Sequence, residues 1–72
     1  MSRQSEYFDR AAECERLMDA ASDPDDRGIL ELSRDRWIML ANESAAMSPD
    51  YVTKQIAELE KIAARFEPVT DE

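Results

Sequence analysis

The sequence predicts an all-α domain of three helices, and three observations predict it. Apolar residues recur at alternating spacings of four and three in three separate stretches. Two of those stretches open on the same start signal, Asp23-Pro24 and Ser48-Pro49, in which a short polar side chain precedes a proline. The chain has one Gly and few β-branched residues, too few for the turns and strands of a sheet. Seventy-two residues make a single domain, 1–72. Residues 1–4 and 68–72 are expected to fray.

The first helix is expected over residues 5–21. Ser5 is its N-cap, and Glu6 and Asp9 lie near the positive end of the helix dipole. Tyr7, Ala11, Cys14, Met18 and Ala21 form its apolar stripe, widened by Phe8, Ala12 and Leu17. Glu6 and Arg10 stand four apart and are expected to pair. The small residues of the stripe let a neighbouring helix approach and leave room for a large side chain.

A two-residue link, Ser22-Asp23, leads to the second helix, 24–46. So short a connection joins antiparallel neighbours, so the first two helices are expected to form a hairpin with Trp37 near the Ala11–Cys14 level. Ser22 or Asp23 is the N-cap, Pro24 takes the first helical position, and Asp25 and Asp26 complement the dipole. Asp26, Leu30, Ser33, Trp37, Leu40, Ala41 and Ser44 fall on one side, a core stripe polar at its ends; Leu32 and Met39 point the other way. Apolar residues on two sides imply contact from two directions. Gly28 is costly inside a helix; nearness to the helix start or the approach of another backbone would account for it.

The third helix is expected over 49–67, with Ser48 as N-cap and a stripe of Val52, Ile56, Leu59, Ala63 and Phe66. Asp50 and Lys54 are a second favourable pair, and Pro68 ends the helix. It packs either on the second helix or on a dimer partner. Tyr7, Phe8 and Phe66 are expected to close the core at the helix ends.

Composition narrows the function. Seventeen acidic residues against nine basic ones leave a net charge of −8, which disfavours nucleic acid and anionic membranes as partners. There is no apolar run long enough for a transmembrane span and no apolar signal core, so a cytoplasmic location is expected. One Cys cannot form an internal disulfide. Asp23-x-Asp25-x-Arg27-Gly28 has the outline of a calcium loop. It carries Arg27 and Arg34 where the fifth and twelfth ligands belong, and helix capping explains the same residues. With no His there is no imidazole for proton transfer or metal ligation, and Cys14 lies on an apolar stripe. No catalytic residue, cofactor or metal site is expected.

Tyr7, Arg10-Ala11-x-Glu13-Cys14, Leu17, Ala20-Ala21, Asp23-Pro24-x-x-Arg27, Leu30-x-Leu32 and Trp37-x-x-Leu40-Ala41 together resemble a group of short, uncharacterised bacterial all-helical proteins. The resemblance covers residues 7–42. It departs from the group's pattern at Ser33, where the group more often has Ala after Leu. It implies a helical hairpin and no activity.

The function expected is therefore that of a non-enzymatic protein-interaction or regulatory module, with a protein partner or a second copy bound through Leu32, Arg36, Met39 and Trp37. A thin, Ala-rich core favours a homodimer over a closed monomer. The alternative is an acidic decoy that occupies the nucleic-acid-binding surface of another protein. Against the decoy stand the Arg and Lys residues scattered among the acids.

Overall fold

A computed structural model describes residues 3–66. The elements are α1 (Arg3–Ala20), α2 (Pro24–Glu43), a single 3-10 turn (Ser44–Ala46) and α3 (Pro49–Phe66). All the regular structure among the described residues is helical.

The described part of α1 already includes the two residues before the expected Ser5 cap. Arg3 and Gln4, expected to fray, are helical, and Ser5 lies within the helix. No Pro or Gly stands at residues 3–6 to stop the helix propagating backwards. At the other end Ala21 N–H reaches Met18 O at 3.2 Å, a tightened last turn. The side chain of Arg27, one turn into α2, donates from Nε to Ala21 O at 3.2 Å. A cation thus meets the negative end of α1 and a carbonyl that no helical N–H can serve.

The start of α2 is the one its sequence describes. Asp23 is extended, and its carboxylate accepts from Asp25 N–H at 2.9 Å with Pro24 between them. The helix does not run on to residue 46. After Glu43 the backbone tightens into the 3-10 turn, and Met47 is extended. The shortened turn lets Met47 reach the core. Ser48 then caps α3 through a hydrogen bond from Tyr51 N–H to its Oγ at 3.2 Å. The described part of α3 ends at Phe66; the last expected residue, Glu67, and the 68–72 tail lie outside the described residues.

Helices α1 and α2 form the hairpin and share the largest interface; α3 lies against α2. Tyr7, Ala11 and Cys14 of α1 meet Trp37, Leu40 and Ala41 of α2 and Val52 and Leu59 of α3 in one core, with Ile38, Met47 and Ile56 packed at its edge. Trp37 sits nearer the start of α1 than the expected level. Its ring is 5.9 Å from that of Tyr7, and the Arg10 guanidinium lies 5.7 Å from its centroid. Arg10 is thereby turned from Glu6 on its own helix to Glu60 on α3, 3.3 Å away. Phe8, expected to help close the core, is instead 43% exposed. Phe66 is half-buried.

Gly28 is exposed, has no positive φ, and a Cβ built on it would meet nothing within 4 Å. No other backbone approaches it, which removes one of the two reasons for its presence. Gly28→Ala is therefore expected to stabilise the protein by about 0.5–1 kcal/mol, because Ala loses less chain entropy than Gly in a helix interior. Urea unfolding followed by circular dichroism measures this, and an unchanged midpoint would contradict it.

Candidate interaction surface

The four expected interface residues do not share one environment. Trp37 is 2% exposed and belongs to the core, so it offers no surface. Met39 is half-buried. Arg36 points along the α2–α3 junction, with Nη1 3.3 Å from Gln55 Oε1 and 3.9 Å from Glu58 Oε1, yet half its side chain remains exposed. Leu32 is 66% exposed, the barest large aliphatic side chain among the described residues. Of the two coverings expected for Leu32, by α3 or by a second copy, α3 does not supply the first. Val52 and Leu59 bring α3 onto the Trp37–Leu40 side of α2, and the back of α2 is left open.

Between Leu32 and α3 lies a notch of about 140 Å³, bordered by Ile29, Leu32, Ser33 and Arg36 of α2 and Ile62 of α3. Its walls are mostly aliphatic. Ser33 is 2% exposed, and its hydroxyl has no hydrogen-bond partner. A buried hydroxyl without a partner is uncommon, since it forgoes the bonds it made to water. The i,i+4 spacing of Ile29 and Ser33 was legible in the sequence; the notch depends on where α3 lies and was not.

The charged groups around this region are largely paired. Arg34 spans the hairpin, reaching Asp35 at 3.0 Å, Glu15 at 3.5 Å and Glu31 at 3.9 Å. The hydrogen bond to Asp35 comes first among the causes that hold its proton more firmly than usual, and the charges of Asp35, Glu15 and Glu31 add to it. Arg16 pairs with Glu13 one turn away.

Elsewhere, a cleft of about 330 Å³ between α1 and α3 has Tyr7, Trp37 and Ile56 within it and Arg10 and Glu60 at its rim. Its arginine is already stacked on Trp37 and paired with Glu60, and it holds no nucleophile beside a base. Cys14 is buried, and its thiol pKa is raised first by that burial and then by the Glu13 charge, with Arg10 and Arg34 opposing. Such a thiol is poorly nucleophilic. Among the described residues no three acidic or thiol groups converge where they could hold a metal ion, and no helix is long and apolar enough to cross a membrane.

The described residues form a small three-helix protein in which Leu32 of α2 is left exposed. Compared with protein-family models, with curated proteins and with solved structures, the chain matches none.

Proposed function

We propose that this chain is a non-enzymatic interaction module of the cytoplasm that works as a homodimer, joined through the open back of α2. One observation carries the reading: Leu32 stands 66% exposed in the middle of the central helix, beside the half-buried Ile29 and Ile62. A large aliphatic side chain in such a place loses little by being covered and gains about 25 cal/mol for each Å² of apolar surface removed from water. A closed monomer leaves that gain unused.

The partner that fits is a second copy, because the face is self-complementary. Asp35 and Arg36 are adjacent, opposite in charge and more than half exposed, at 57% and 51%. Two α2 helices related by a two-fold axis near these residues bring each Asp35, which Arg34 also holds at 3.0 Å, to the other copy's Arg36, which also reaches Gln55 and Glu58. An isologous contact of this kind needs only one patch. The acidic decoy gains less support, since Arg10, Arg16, Arg34 and Arg36 each pair with carboxylates and break up the acidic faces.

Sedimentation equilibrium over a concentration series tests this. The wild-type mass should rise from 8.3 kDa towards twice that value. Leu32→Glu should stay monomeric with unchanged helicity, because the new charge is solvated in the monomer and buried unpaired in the dimer. A wild-type chain that remains monomeric at millimolar concentration would remove the reading.

A further inference from the structure

Ile29, Leu32, Ser33 and Arg36 stand at i, i+3, i+4 and i+7, the four corners of the hole into which a facing helix inserts a side chain. In α2 this hole is the notch bordered by Ile62, about 140 Å³ in volume, and Ser33, whose buried hydroxyl has no partner, is among the residues that line it. The hole opens at the edge of the face on which Leu32 is exposed.

We infer that the notch is the seat for Met39 of a second copy, so that a dimer contains two such seats related by its two-fold axis. The inference rests on the homodimer reading and adds its register. If Asp35 of one α2 opposes Arg36 of the other, antiparallel helices also place Leu32 opposite Met39. The level of the hole, between Leu32 and Ser33, is then the level of the incoming Met39. The long unbranched side chain suits an irregular gap, and its thioether arrives at the level of Ser33, whose hydroxyl has no partner in the single chain. Met39 is half-buried on its own helix, and extending into the second copy completes its burial.

Disulfide mapping tests the register. Cys14, the only thiol, is replaced by Ala, and Leu32→Cys and Met39→Cys are made as separate variants in that background. The two are mixed under mild oxidation. Cross-links between position 32 of one copy and position 39 of the other should outnumber the 32–32 and 39–39 products. In parallel, Met39→Ala should weaken wild-type dimerisation about tenfold or more, because both seats are emptied, whereas Met39→Leu should restore most of it. A dimer whose cross-links are mainly 32–32 or 39–39, or whose affinity is indifferent to Met39→Ala, overturns the seat and leaves the homodimer standing. A wild-type chain that is monomeric throughout overturns both.

Discussion

Trp37→Ala is expected to leave the chain largely unfolded at room temperature. Removing a buried Trp side chain costs about 3–5 kcal/mol, and a core of this size rarely supplies more than about 3–5 kcal/mol in all. At Trp37 the loss falls at the upper end, because the ring is shared. Tyr7 packs against it from α1, the Arg10 guanidinium lies over it, and Ile56 of α3 lines the same cleft. Ala11 and Ala41 in the same core are too short to refill the space. Cys14 is a built-in reporter. In the folded chain its thiol is buried with a raised pKa, so a thiol reagent reacts slowly; in the unfolded chain the pKa falls back and the sulfur is exposed. The same linkage sets a sign. The unfolded thiol gives up its proton more readily than the folded one, so raising pH through the thiol range favours the unfolded chain. Trp37→Ala should therefore show both lost helicity and fast thiol labelling, with Trp37→Phe intermediate. A Trp37→Ala chain that melts within a few degrees of wild type would show that the hairpin is held elsewhere.

What could be read from residues alone divides by range. The Asp23-Pro24 and Ser48-Pro49 starts were legible because a cap is a local matter: one side-chain oxygen and the N–H groups of the next turn. The core stripe of α2 was legible because helical period places Leu30, Ser33, Trp37, Leu40 and Ala41 on one side wherever the helix goes; these five are buried, and the polar ends of the stripe, Asp26 and Ser44, are half-buried. The contacts missed are those between elements. Spacing assigned Arg10 to Glu6, but the fold offers Arg10 the face of Trp37 and the carboxylate of Glu60. Arg27 carries no local sign that it will reach back to Ala21 O. The ends of α1 and α2 were misplaced for a related reason. Arg3 and Gln4 form helix with no Pro or Gly to stop it, and residues 44–46 tighten into a 3-10 turn beyond which Met47 packs against the core. Of the expected interface, the pattern correctly set Leu32 apart from the core stripe. It placed Trp37 on the core stripe, where it is enclosed, but could not say that α3 would pass to one side and leave Leu32 bare. That depends on the crossing of α3, which no local spacing encodes.

That crossing yields to a direct test, because α3 is held by two kinds of contact with different expected strengths. Three polar links reach it from the hairpin: Arg10–Glu60 at 3.3 Å, Arg36–Gln55 at 3.3 Å and Arg36–Glu58 at 3.9 Å. Glu60 and Glu58 are about half exposed, and such ion pairs contribute about 0–1 kcal/mol and weaken in salt. Against them stands Leu59, 1% exposed in the core, whose truncation costs about 2–5 kcal/mol. Apolar packing should therefore win by a wide margin. Leu59→Ala is expected to collapse the hydrogen-exchange protection of α3 amides while the α1–α2 hairpin keeps more of its own, since α3 can open locally. Glu60→Gln, or salt at about 1 M, where screening acts within about 3 Å, should leave that protection nearly unchanged. The opposite pattern, with salt freeing α3 and Leu59→Ala sparing it, would mean that charge and not the core sets the crossing. The result also bears on self-association. Ile62 of α3 forms one wall of the notch beside Leu32, so a chain with α3 detached loses that wall and should dimerise more weakly, although Leu32 and Met39 themselves are untouched.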